Sequence, residues 1–415
     1  VTGAAGRPPN VLSGTLIAYL ASRFCAATAM TMLRAGVAWH VFVLTGSAFH
    51  LGLIGIVQFI PALGLMLVAG ALADVHDRRR IMQIAQVVAL VGGLVLSYTT
   101  ERGTITLVIL YGVILVLAAA STFDGPARAA LLPTLVPREL FPRAVTIAST
   151  NQALAFASGP AVGGLLIAAA GIGAVYVAYG VLICGSLTAL AFVRAATRDG
   201  PRGAPSLRAI RDGLAFVRRR PVVFGCMVLD MFAVIFGGAA ALLPIYAQEI
   251  LHVGPRGYGL LSSSLEIGAI ATSVVLMSHP PVRRTGRTLL VAVGAYGTAT
   301  IVFGMSRWFP LSVAAYMLVG AADQVSVVMR STTIQLATPD ELRGRVSAMN
   351  LLFIGASNQL GAAESGFVAA LTSAPFAVVS GGIACLLVLA TVALKNPALR
   401  AYRIDRPGAR TRRPC

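Results

Sequence analysis

Apolar stretches of about 20 residues recur along the chain, separated by short clusters of Gly, Pro, Ser and Arg, and about 20 apolar residues is the length a helix needs to cross a bilayer. Twelve such stretches are read, starting near residues 15, 50, 81, 104, 143, 174, 221, 257, 287, 309, 345 and 375. The pattern predicts an all-α membrane protein with twelve transmembrane helices.

The breaks between these helices alternate in character. Odd-to-even connections such as TGSAFH at 45–50, GIGA at 171–174 and TSAP at 372–375 are short and nearly free of basic residues. Among 33 basic residues only Arg102, Arg256 and Arg307 fall on that side, and Arg23 and Arg34 lie within the first span. All others, Arg128 and Arg330 included, are assigned to the chain ends and the even-to-odd connections. Arginine-rich loops stay in the cytoplasm, so both termini are expected there.

The longest connection divides the chain into a six-helix half at 1–194, a linker at 195–220, a second half at 221–395 and a basic cytoplasmic tail at 396–415. Apolar residues at Leu207, Ile210, Leu214 and Val217 give the linker the spacing of an amphipathic surface helix. An internal repeat agrees with the division. VPRELFPRAV at 136–145 aligns with TPDELRGRVS at 338–347, pairing Pro137 with Pro339, Glu139 with Glu341 and Arg143 with Arg345. The same register pairs Gly159 with Gly361. Two pseudo-symmetric six-helix bundles are a transporter architecture.

Composition narrows the function classes. Of 415 residues 57% are hydrophobic and 12% charged, against about a quarter charged in an ordinary globular domain. The net charge of +18 is therefore a topology signal; with no sizeable soluble domain and no aromatic residues among the basic clusters, nucleic acid is not an expected partner. No nucleophile with its base or paired interfacial carboxylates stands in the short loops, which argues against an enzyme. Four of the five cysteines lie in apolar runs without a CxxC pair and read as small hydrophobes. VTGAAGRPPN at the start has no short apolar segment with a cleavage site, so no cleaved signal peptide is expected.

Two motifs carry a resemblance. GALADVHDRRR at 70–80 resembles the loop between helices two and three of the major facilitator superfamily, with Gly70, Leu72, Asp74 and Arg78 to Arg80 matching, and Val75 and Asp77 departing from it. The resemblance implies a conformational switch formed by Gly70, Asp74, Arg78 and Asp124, the arginine pairing with an acid that ends helix four. AFASGPAVGG at 155–164 resembles the superfamily's antiporter motif through Gly159, Pro160, Gly163 and Gly164, which implies export. TFDGPARAALLPTLVPREL and GAADQVSVVMRSTTIQLATPDELRGRVSAMN are similar to the enterobactin-exporter-like, or transmembrane secretion effector, branch.

Ionisable groups at bilayer depth mark pathways or partners. Arg34 lies eleven residues before Thr45, a rise of about 16 Å, near the midplane. Arg23 snorkels to the interface. Asp230 and Asp323 lie in helices seven and ten, and the resemblance implies that helices one, four, seven and ten line a central cavity, so Arg34, Asp230 and Asp323 are candidates for proton coupling and substrate charge. A permanent ion pair is the competing reading. Glu266, Glu364, the helix-eleven stripe Asn350 and Ser357, and Asn151 on helix five complete the set. His40 has no helical-spaced partner, and no metal or cofactor is expected.

These observations predict an exporter of a small, siderophore-like organic molecule that works by alternating access and proton antiport. It is expected as a monomer in a bacterial cytoplasmic membrane, its partners being substrate, protons and the lipid bilayer. A broad drug or macrolide efflux pump is the alternative, followed by an importer or a membrane sensor.

Overall fold

The computed structural model describes residues 14–193, 215–280 and 282–403. Among the described residues there are helices and turns but no strand. The helices are α1 (Gly14–Thr45), α2 (Ala48–Val75), α3 (Arg78–Glu101), α4 (Leu107–Leu135), α5 (Phe141–Ala170) and α6 (Ile172–Ala191) in the first part. They continue with α7 (Pro221–Phe236), α8 (Gly254–Ser278), α9 (Thr285–Met305), α10 (Phe309–Ala337), α11 (Asp340–Leu371), α12 (Ala374–Lys395) and a short α13 (Pro397–Ala401). Each long helix starts within a few residues of its expected position.

The boundaries follow from local chemistry. Gly46 and Gly171 adopt φ of +59° and +80°, which other residues rarely do, and so turn the chain between α1 and α2 and between α5 and α6. The side chains of Asp77, Thr106 and Ser373 accept the free N–H groups of Arg79, Ile109 and Phe376 at the starts of α3, α4 and α12. Proline opens α5, α7, α10 and α12, where no helical N–H is needed.

Eleven spans, with α7 and its continuation to Ile250 counted as one, are long and apolar enough to cross a membrane. The remaining long helix, α11, has 32 residues, but Asn350, Ser357, Asn358, Gln359 and Glu364 lower its hydropathy. The surfaces suit lipid. On α3, Ile84, Val87, Val91 and Leu94 recur at helical spacing and are all exposed, whereas Ala85, Gln86, Gly92 and Gly93 face inward. On this middle stretch of α3 large apolar residues point out and small or polar ones point in, while Ile81, Met82 and Leu96 towards its ends are buried.

The described residues form two compact units. The first holds those up to Val193 together with Leu242–Ser263; the second holds 215 to Ala241 and Ser264 onwards. In the first, α1 packs along α5 and α6. In the second, α9 packs on α10 and α12, and α7 on α10, α11 and α12. The chain passes from the second unit back to the first where α7 breaks. It ends at Phe236, turns at Gly237, and resumes as a 3₁₀ turn (Ala239–Leu242), a single helical turn (Leu243–Ile245) and a π-turn (Tyr246–Ile250). Tyr296 donates its hydroxyl to the Gly237 carbonyl at 3.1 Å, satisfying a group the break leaves open.

Most of the expected linker helix falls outside the described residues, as does the tail beyond Arg403. Its last part is helical over 215–219, with Val217 buried in the core of the second unit.

Candidate functional site

Three consecutive arginines open α3, and two of them bond backbone carbonyls of neighbouring helices. Arg78 donates to the Ala130 carbonyl in the last turns of α4 at 3.0 Å. Arg79 donates to the Ala191 carbonyl at 2.8 Å, the C-terminus of α6, where a cation opposes the helix dipole. Arg80 stays exposed beside Asp77. Gly70 and Asp74 lie in the last turns of α2.

Asp124 is held by its own helix. Arg128 grips it with two parallel bonds, Nε to Oδ2 at 3.0 Å and Nη2 to Oδ1 at 3.1 Å, the planar fork a carboxylate matches best. The Arg78 bond thus goes to the backbone of α4 at Ala130, beyond Asp124 in the chain, and not to Asp124 itself. From Arg128 a chain of polar contacts runs across the unit. Its carbonyl accepts from Tyr19 at 3.1 Å, Tyr19 accepts from Arg23 at 3.2 Å, and Arg23 also donates to Gln152 of α5.

Arg23, Arg34, Asp124, Arg128 and Gln152 all line one cavity of about 470 Å³ within the first unit. Arg34 has no ion pair or hydrogen bond among the described residues. Asn151 points away from such a role, donating to the Leu20 carbonyl at 3.0 Å and tying α5 to α1. His40 is partnered by the Tyr176 hydroxyl at 2.8 Å.

The glycine motif of α5 sets the closest helix approaches. A Cβ on Gly159 would sit 2.8 Å from the Thr28 carbonyl and 2.9 Å from the Met32 nitrogen, so α1 lies directly on it. Gly163 faces Met32 as well, and Gly164 meets Gly259 and the Pro255 carbonyl at 2.6 Å each. Pro160 stays within the helix, its carbonyl against Gly259. In the second unit the repeat partner Gly361 does the same on α7, where a Cβ would lie 2.6 Å from the Val234 carbonyl. Small residues that let backbones touch are the usual means of packing membrane helices.

In the second unit Asp230 of α7 forms an ion pair with Arg330 of α10, and both side chains are almost wholly buried. Arg34 belongs to the first unit, so the expected trio is divided between units. A different pair emerges on α8 and α10. These helices cross where Gly268 meets the Met317 carbonyl and Gly320 meets the Leu265 carbonyl. Glu266 and Asp323 flank that crossing within electrostatic range of each other, and neither has a salt bridge among the described residues. On α11 Glu364 accepts from Ser365 at 3.3 Å. Ser357 is fully buried and returns its hydroxyl to the carbonyls of Phe353 and Ile354, while Asn350 is half-buried.

Two arginines depart from the sequence expectation. Arg128 and Arg330, assigned to cytoplasmic connections, lie inside α4 and α10 with only 8% and 2% of their surfaces exposed. The register that aligns 136–145 with 338–347 also pairs Arg128 with Arg330. Each is the buried, basic member of an ion pair, one with a part-exposed carboxylate on its own helix and one with a buried carboxylate from α7. The internal repeat held the signal that would have found them.

Comparison with known proteins agrees with this architecture. The model of the transmembrane secretion effector family matches residues 15–409. The chain is 27% identical to the multidrug efflux pump Tap of Mycolicibacterium fortuitum, covering 94% of this chain and 98% of that protein. It is 24% identical to the enterobactin exporter EntS of Shigella dysenteriae, covering 93% and 92%. Among solved structures, the POT family transporter PepTSo superposes with a TM-score of 0.73 at 12% identity, over 93% of this chain and 98% of that one. A bacterial homologue of the human lysosomal transporter Spinster gives 0.71 at 14% identity, over 96% and 100%. The chain is thus a multi-pass transporter with the major facilitator fold, not an enzyme, and it belongs to the transmembrane secretion effector family.

Proposed function

We propose that this protein exports a small organic molecule across a bacterial cytoplasmic membrane by alternating access, in exchange for protons. The observation that carries the proton claim is the Glu266 and Asp323 pair at the α8–α10 crossing, with no salt-bridge partner for either among the described residues. Two carboxylates in one neighbourhood do not titrate independently, because a proton on one changes the charge the other feels. A proton bound or released there changes the local charge inside the membrane, and that change biases the conformational equilibrium.

Asp230 has a different part in this reading. Its pairing with Arg330 removes it from the set of free carboxylates and makes it a device that holds α7 to α10. Gly70, Asp74, Arg78 and Asp124 act as the switch region: Arg78 and Arg79 join the start of α3 to α4 and α6, so that this end of the first unit moves as one body. The GPxxGG motif supports export through its family association, and the glycine contacts supply its physical basis. The arginine-rich connections face the cytoplasm, and the protein works as a monomer.

The relatives' names favour two substrate classes, a siderophore and a range of drugs. Inside-out vesicles energised to be acid inside, offered enterobactin or erythromycin, test the reading. Accumulation that collapses when the pH gradient is dissipated is the expected result for at least one of them. Uptake of both at the rate of vesicles lacking the protein would contradict it.

A further inference from the structure

The cavity in the first unit has a charge imbalance that the transport reading does not use. It lies among α1, α3, α4, α5 and α6, and three arginines, Arg23, Arg34 and Arg128, stand around it against one carboxylate, Asp124. Asp124 is consumed by its two bonds to Arg128. Arg23 has only neutral partners, Tyr19 and Gln152, and Arg34 has no partner among the described residues. Three positive charges against one negative leave the cavity with two uncompensated cations.

Its hydrogen-bonding groups are unfilled in the same sense. Gln86 of α3 lines the cavity with 4% of its surface exposed, and neither its amide nitrogen nor its amide oxygen has a partner. Arg128 Nη1 and Arg23 Nε are likewise buried N–H groups without acceptors. Water would satisfy an amide. It would leave the two net positive charges of the cavity without a counter-charge, Arg34 being exposed and Arg23 part-buried there, whereas an anion would neutralise them at membrane depth.

The remaining wall is mostly apolar and includes Leu117, Phe156 and Ile183, with Ser121 and Tyr179 also lining it. A volume of about 470 Å³ falls within the range of small-molecule sites, roughly 300 to 1,000 Å³. We propose that this cavity binds a small organic anion, with a carboxylate or similar oxyanion set between Arg34, Arg23 and the free N–H groups and its apolar body against the aliphatic wall. Calling that anion the transported substrate rests on the transporter reading; the binding site itself does not.

The test uses the full chain in nanodiscs of zwitterionic phospholipid and two probes, 2-naphthoate and 2-naphthylmethylammonium, which share a ring system and differ in the sign of their charge. Naphthoate should bind and the ammonium should not. Arg34→Gln should weaken naphthoate about tenfold or more, the effect of losing a charge-assisted bond, while Arg34→Lys retains part of it. Because Arg34 leaves no protein partner behind, Arg34→Gln should unfold at the same temperature as wild type or higher without ligand. Gln86→Leu provides an independent variant and should also weaken naphthoate.

Equal binding of both probes, preference for the ammonium, or naphthoate binding unaffected by Arg34→Gln would overturn the proposal. Loss of naphthoate binding on adding phosphatidylglycerol would assign the anion to a lipid headgroup and overturn it equally. Proteoliposomes separate this failure from failure of the transport reading. Movement of the ammonium but not the naphthoate refutes the anionic class and leaves the transporter; binding of naphthoate with no solute moved leaves the site and removes transport.

Discussion

Arg330 on α10 closes against Asp230 on α7, and the arginine is left with only 2% of its surface exposed. A charge pair this deep depends on both members. Removing one leaves the other uncompensated, which typically destabilises by about 3–5 kcal/mol, whereas replacing both with neutral groups costs far less. Asp230→Asn and Arg330→Gln should each lower the denaturation midpoint of the purified protein sharply. The double variant should recover much of that loss, and a cycle of denaturation curves measures the coupling. Additive losses would mean that the pair is not coupled.

The α5 glycines predict a second contrast. A methyl group at Gly159 would press on the α1 backbone, so Gly159→Ala should destabilise by about 1–3 kcal/mol, the usual range for overpacking. Gly112 on α4 has nothing within 4 Å of the same added carbon. Gly112→Ala should be neutral or mildly stabilising, since alanine favours helix. Thermal unfolding of the two variants side by side checks this.

Asp77 replaces the glycine usual in the superfamily loop, and it accepts the Arg79 N–H at the start of α3 at 2.9 Å. Asp77→Ala should cost about 1 kcal/mol, and Asp77→Gly only a few tenths, because glycine is itself tolerated at helix N-caps. Hydrogen exchange at the first turn of α3 reads the difference. Equal protection in all three proteins would show that the cap contributes nothing.

The helix count and starts were legible because apolar length is a strong signal and Gly, Pro and capping residues punctuate it. The α5 glycine contacts were legible too, since GPAVGG is a local pattern, whereas Gly268 and Gly320 at the α8–α10 crossing were not. What sequence could not supply was pairing. Asp230 and Arg330 are far apart in the chain, and α7 meets α10 only through tertiary packing, so the ion pair weighed for Asp230 was with Arg34 and not with Arg330. Arg128 and Arg330 were counted with the cytoplasmic arginines because each stands near a helix end, and a linear count of charge cannot distinguish an anchor from a buried partner. Gln86 carried no signal at all. It is one polar residue in an apolar run, and only the cavity beside it makes its empty bonds meaningful.

Proton exchange through Glu266 and Asp323 is the central claim, and proton movement can be followed directly. Proteoliposomes loaded with the pH dye pyranine are given enterobactin or erythromycin, and the internal pH is recorded for wild type, Glu266→Gln and Asp323→Asn. The account predicts substrate-dependent proton movement by wild type and its loss in Asp323→Asn, with solute exchange between equal pools retained. Proton movement of undiminished size in both variants would contradict it.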